Sequence, residues 1–387
     1  MAVNTLTFNQ CSTLLNAINA QATGRAEAAP VNTSEFVTVA QTTLMTGYDN
    51  VINAISQVLS KTVFSVRPYN RKFKGLYMDS VRYGNHTRKL QVVDKDAKDD
   101  DRVKLVDGES VDQQEVNKPA VLQTNFYGAN VYERFVTVFR DQLDAAFSGP
   151  DEFGRFISMI LQNVTDLIEQ DHENCARATV ANFIGGKIAA NSNVYHLVTE
   201  YNEETGLELT SATVKKPENY VPFMKWAMAR IKTISDMMTE RTTMFHINVA
   251  NKPISRHTPK NAQKLYMYAA DINNMEASVL SSVFHDSYLK SVDFETVNFW
   301  QSVQNPMGID NKPSYMKDDG TIITGVCKQN NVLGVLFDEE AVGITVVNAW
   351  SASAPFNARG GYTNTFFHFT DRYYNDFTEN GCVFLMD

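Results

Sequence analysis

The sequence predicts a mixed α+β fold. A 3.6-residue apolar period starts at Phe153, strand-like aromatic alternation fills the C-terminal segment, and no regular βαβ alternation connects them. Residues 1–40 are small and polar and read as a loosely packed lead-in. Within them Phe8, Leu14, Leu15 and Ile18 permit one short helix. Over 42–60, Leu44, Tyr48, Val51, Ile52 and Ile55 share one face, which predicts an amphipathic helix.

Residues 61–130 change character. Lys61, Arg67, Arg71, Lys72, Lys74, Arg82, Arg88 and Lys89 face a single acid, Asp79, and then Gln91–Lys118 reverses the balance with nine acids against five bases. The tract around Asp94, Asp96, Asp99, Asp100 and Asp101 is too polar to supply a core. Short apolar alternations flank it, so the segment predicts a long hairpin with an acidic tip.

After Ser148-Gly149-Pro150, residues Phe153, Phe156, Ile157, Ile160, Leu161, Val164 and Ile168 define a long helix expected to stop at Gly185-Gly186. Roughly thirty residues of helix span about 45 Å. A hairpin is expected near 195–212, then a helix from Pro222 carrying Phe223, Trp226, Ala227, Ile231, Ile234 and Met238 on its buried face. The stretch 244–250 reads as a strand, and Lys264 to Ala269 as helix or strand. A helix over 272–284 and a strand pair over 292–304 follow. Residues 330–347 read strand, turn, short helix, strand. Asn380-Gly381 marks a hairpin turn.

Composition narrows the function. The 387 residues are 43% hydrophobic and 20% charged, enough for a sizeable core, and carry a net charge of −9. That balance does not suit a chain built to coat nucleic acid. The 23 Phe and 16 Tyr suit wide contact surfaces as well as a core. Neither a signal peptide nor an apolar run of membrane-spanning length is visible, so a chain made in the cytoplasm is expected. Cys11, Cys175, Cys327 and Cys382 lie far apart and read as free thiols.

No GxGxxG after a strand, P-loop, HExxH or GxSxG occurs. The seven histidines are scattered, and the acidic tract fails a calcium-loop test because Lys98 and Asp99 fill positions that need an oxygen ligand and glycine. The basic run interleaves Tyr69, Phe73, Tyr77 and Tyr83, a pattern compatible with nucleic-acid stacking. Opposite-sign blocks in one hairpin instead favour pairing with each other or with a second copy. Arg67, Arg71, Lys72, Lys74, Arg82, Asp94, Asp96, Asp99, Asp100 and Asp101 are therefore the expected intersubunit contacts.

This order of elements resembles the major capsid protein of tailed bacteriophages, the HK97-like shell fold. Local similarity lies in VLGVLFDEEAVGI at 332–344 and PFNARGGYTNTFFHFTDRYYNDF at 355–377. The resemblance implies an N-terminal arm and helix (1–66), an extended loop (67–128), a peripheral domain with the spine helix (129–212), an axial domain (213–349) and C-terminal strands returning to the peripheral domain (350–387). It implies a shell subunit with no active site, cofactor, metal or membrane, forming pentamers and hexamers of an icosahedral head in the virion. Implied partners are packaged double-stranded DNA held without specificity, a separate scaffolding protein, a portal and decoration proteins. An encapsulin-type compartment shell and a soluble phage or bacterial enzyme are the alternatives.

Overall fold

The computed structural model describes residues 6–25, 29–61, 72–78, 87–94, 100–114, 116, 118, 120–248, 254–279, 294–317, 319 and 321–387. Three helices open the chain: α1 (Phe8–Thr23), α2 (Thr33–Leu44) and α3 (Tyr48–Lys61). Asn32 caps α2 by accepting from the Glu35 N–H at 2.9 Å, and Glu35 accepts in turn from the Val31 N–H at 2.9 Å. The single helix expected over 42–60 is two, because Gly47 turns the chain between them at φ +103°, a conformation other residues avoid. Nor is the lead-in loose. Cys11, Leu15, Phe36, Val51 and Ile55 bury together with Phe153 and Ile157 in one core.

An antiparallel hairpin follows, β1 (Thr87–Val92) with β2 (Val121–Phe126), pairing Thr87 with Phe126 and Val92 with Val121. After β3 (Ala129–Phe139) and the short α4 (Arg140–Ala146) comes α5 (Pro150–Ala189). Its 40 residues extend about 60 Å. Gly185 and Gly186 do not stop it. They lie inside it where Asn311 and Phe377 occupy the space a Cβ would need.

The hairpin expected near 195–212 is instead β4 (Val194–His196) and α6 (Leu197–Thr205), and α7 (Pro217–Met237) starts at Pro217 with Pro222 inside it. Residues 244–248 form no regular strand, whereas β5 (Gln263–Tyr268) and α8 (Ala269–Val279) resolve the next stretch. Of the strand pair expected over 292–304, only β6 (Phe294–Val297) is a described strand. Four short strands follow, β7 (Ile309–Asn311), β8 (Ser314–Met316), β9 (Ile322–Thr324) and β10 (Cys327–Gln329). The long strands β11 (Val332–Asp338), β12 (Val342–Ser353) and β13 (Tyr362–Asn375) precede β14 (Gly381–Leu385). A turn, not a helix, joins β11 to β12.

Two compact units result: Met1–Tyr83 with Ala129–Cys175 and Thr345–Arg372, and Gly84–Gly128 with Ala176–Ile344 and Tyr373–Asp387. These divisions differ from the five segments expected from sequence, and α5, β12 and β13 each contribute to both units. The second unit holds the sheet β4-β14-β11-β5-β6, in which β11 runs antiparallel to β14 and β5. All of β11 and β14 is buried, which explains their unbroken apolar sequence. Leu197, Phe223, Ile231 and Ile272 join Leu333, Leu336 and Phe384 in one core, and the Phe183 ring lies 5.5 Å from that of Phe337. Asn380-Gly381 is no hairpin turn, because β14 pairs with β11 and β4 rather than with β13. The first unit holds the sheet β12-β13-β3.

Candidate assembly interface

Alternation gives β1 two unlike faces. On one, Lys89, Gln91 and the residue after the strand, Val93, meet the unit's own body. Lys89 Nζ lies 2.5 Å from Glu379 Oε1, 3.0 Å from Glu340 Oε2 and 3.3 Å from Asp376 Oδ2. Burial works against its charge, yet Asp376 and Glu379 hold its pKa above the ordinary lysine value. Gln91 Nε2 donates to Thr378 Oγ1 at 3.1 Å. Asp376 shapes the receiving turn by accepting from the Thr378 N–H at 2.9 Å and its hydroxyl at 2.6 Å. Burial pushes the Glu379 carboxyl up.

The other face looks outward. Register places Leu90 opposite Gln123 and Val92 opposite Val121, and Leu90, Val92 and Val121 are 58%, 64% and 56% exposed. Beyond the strands the connector keeps Val103, Leu105, Val106, Val111 and Val116 exposed as well.

In the first unit, the β12-β13-β3 sheet repeats this division. Its inner side carries Arg134, bonded to both oxygens of Asp171 at 2.7 and 2.6 Å, and Tyr132, which donates to Asp371 at 3.1 Å. Its outer side carries Val131 and Phe135, 74% and 61% exposed, with Phe139 and Trp350. Trp350 stacks on His368 with ring centroids 4.0 Å apart, Phe135 lies 6.0 Å from Phe366, and Glu133 reaches His368 at 3.4 Å.

The charged residues expected at intersubunit contacts are dispersed. Arg67, Arg71, Arg82, Asp96 and Asp99 lie outside the described residues. Lys72 and Lys74 are exposed, but their backbone is anchored. Glu173 accepts from the Lys72 and Phe73 N–H groups at 2.9 and 3.4 Å, Phe73 and Leu76 are buried, and Tyr77 donates to the His172 carbonyl at 2.9 Å. The extended loop expected from residue 67 therefore does not describe residues 72–78. Asp94 accepts from the Ser255 N–H at 2.5 Å and from Arg241 at 2.6 Å, and the Ser255 bond lowers its pKa. Asp100 takes the Arg102 N–H at 3.0 Å and its guanidinium Nε at 2.8 Å. Asp101 opens the short turn that follows and is half-buried. Charge drew sequence reasoning to this tract; the outward aromatics were visible only as a high Phe and Tyr content and as alternation in TNTFFHFT.

The family model described as Phi29-like phage major capsid protein matches residues 15–385. The chain belongs to this family. The capsid protein therefore builds a phage shell and resides in the virion. Membership sets it apart from the encapsulin-type alternative and in a family that is structural rather than enzymatic. No curated protein matches the sequence. Among solved structures, a chain of the capsid structure of Staphylococcus phage Andhra is 10% identical with TM-score 0.54, covering 84% of this chain and 87% of that one. A chain from the structure of head fiber and inner core protein gp22 of native bacteriophage P68 is 8% identical with TM-score 0.53 over the same shares, 84% and 87%. At such identity the likeness is one of fold, and the HK97-like capsid fold expected from sequence is the fold of this capsid protein. Among the described residues no helix is long and apolar enough to cross a membrane.

Proposed function

We propose that the capsid protein closes into rings of five and six copies that build an icosahedral head around double-stranded DNA. The observation that carries this reading is the hairpin: Lys89 and Gln91 fix β1 to the body, while the described residues of the connector leave Val103, Val106, Val111 and Val116 exposed. A hairpin held to its own body that presents uncovered apolar residues on its connector supports a head-to-tail contact, and such contacts close rings. Many weak contacts per copy then sum by multivalency.

The other partners follow from charge and packing. A net charge of −9 favours a shell that encloses DNA without gripping it. Helices α1–α3 share a core with Phe153 and Ile157, which argues against their serving as a removable scaffold. In this reading a separate scaffolding protein, a portal and decoration proteins complete the head. Size-exclusion chromatography and negative-stain microscopy of the purified protein test the reading. Capsomer rings or closed particles are expected; a monomer or dimer under every assembly condition would overturn it.

A further inference from the structure

Helix α5 gives way to Ala190-Asn191-Ser192-Asn193, in which Asn191 and Asn193 take left-handed φ values of +48° and +55°. Asparagine tolerates that region better than most residues, so the chain turns sharply off the helix. The turn forms one wall of an open cleft of about 820 Å³ that lies wholly within the second unit. Residues 243–248 and the end of β8 with Asp319 form the others. Tyr315 ties β8 to the helix end by donating to the Ala189 carbonyl at 3.2 Å.

Two residues of this wall carry acceptors with nothing to accept. Asn248 Nδ2 donates to the Thr243 carbonyl at 3.1 Å, which fixes the amide and leaves Oδ1 buried without a hydrogen-bond partner among the described residues. His246, 4% exposed, is in the same state. Asn380 Nδ2 donates to Thr258 at 3.1 Å, so Asn380 Oδ1 is the atom that faces His246 Nδ1 at 3.1 Å and accepts its hydrogen. In the neutral ring Nε2 then keeps a lone pair, and it too is buried without a partner. Burial above all keeps the ring neutral by lowering its pKa, although the Asn380 and Ile254 oxygens favour the proton. Buried polar atoms left unpaired are costly, so each calls for an explanation.

We propose that this cleft binds a linear polyamine, an aliphatic chain carrying ammonium groups. An ammonium only donates hydrogen bonds, which suits Asn248 Oδ1 and His246 Nε2. The C-terminal end of α5 carries partial negative charge and favours a cation. Met244, Ile247 and Met316 line the same cleft and suit the methylene chain, with the thioethers able to adapt to it. At the rim Asp319 stays a carboxylate, because the Thr321 hydroxyl and N–H donate to it at 2.6 and 2.8 Å and lower its pKa. Lys317 opposes a cation, but it is exposed and Asp319 stands two residues away to offset it. An anion is the weaker option, since it would meet both unpaired acceptors with no hydrogen to share.

Calorimetric titration of the full chain with spermidine tests the site, in about 0.15 M salt so that loose attraction to the acidic surface is screened. One saturable site per chain is expected. The uncharged chain of matching length, 1,8-octanediol, should show none. Asn248→Leu removes one acceptor without changing charge and should weaken binding by about tenfold or more. Met244→Arg, at a position 69% exposed and so tolerant of a long side chain, places a fixed cation at the cleft and should weaken binding as much. Thermal melts of both variants show that they are folded, and the exposed Met244 keeps the test decisive if Asn248→Leu is not. Absence of a saturable site, equal binding of the diol, or parental affinity in Met244→Arg would overturn the polyamine site. None of these results bears on particle formation, which tests the shell reading separately.

Discussion

Lys89 and Glu379 meet at 2.5 Å although 290 residues separate them in sequence. The lysine is the nearest cation to a group of three carboxylates, with Arg256 3.1 Å from Glu379 as the second. The pair couples the root of the hairpin to the turn before β14.

Lys89→Met should loosen that root. Asp376 and Glu379 are buried and would lose their main counter-charge, so a stability loss of about 3 kcal/mol is expected, the cost of breaking a buried pair from one side. Urea unfolding measures the total. Amide exchange over residues 87–92 should accelerate more than exchange in β11, and equal acceleration in both would count against a local root.

Asp94 gives the tie between the connector and the body a pH dependence. Its folded pKa lies below the unbonded value because the Ser255 N–H donates to it. A depressed carboxyl contributes stability that is complete above the ordinary aspartate pKa and is lost as pH falls through the folded value. The tie should therefore hold at neutral pH and release below about pH 4. Exchange of the Ser255 amide against pH reads this directly, and Asp94→Asn should remove the dependence.

Lys187 points the other way. It is fully buried on α5, donates to the Phe245 carbonyl at 3.3 Å, and burial pulls its pKa down to about 8. The folded state then holds fewer protons than the unfolded state between about 8 and the ordinary lysine value, so stability should rise with pH across that window. At pH 7 the buried charge is a cost. Lys187→Met should raise the melting temperature, by an amount corresponding to about 1–4 kcal/mol, and should flatten the alkaline rise.

Gly186→Ala opposes two effects of known sign. Helix propensity alone favours alanine by about 1 kcal/mol. The new methyl would meet the Phe377 ring, which stacks on Phe183 at 5.4 Å and 3°, and overpacking of this kind costs about 1–3 kcal/mol. Destabilisation is expected in thermal melts; a stabilised variant would mean the ring moves aside freely.

Gly186 also shows where the sequence was opaque. The period from Phe153 to Ile168 disclosed α5, because local spacing creates a helical face. The glycine pair read as a stop because nothing local says that Asn311 and Phe377 need a side-chain-free strip. Asn380-Gly381 misled in the same way. Asn380 bonds to His246 at 3.1 Å and to Thr258 at 3.1 Å, tertiary partners that outrank the turn preference of the dipeptide. Sheet order was equally hidden, since β14 inserts between β4 and β11 by pairings no short window contains. For the interface, alternation along β3 announced two faces, yet Tyr132 and Phe369 on one side and Phe135 and Phe366 on the other are equally aromatic. The packing of Arg134 on Asp171, of Tyr132 on Asp371 and of Val138 in the core decides which side is inner.

The hairpin root has a consequence for synthesis. Gln91 and its partner Thr378 stand 287 residues apart, and a ribosome adding about 5–20 residues per second makes the first roughly 15–60 s before the second. Through that interval a nascent chain carries β1 without the turn that receives it. Its lysine has no carboxylates to meet and its orientation is unset, so neighbouring nascent chains on one message cannot engage through it in the mature geometry. A seated hairpin is the mark of a chain translated past Glu379.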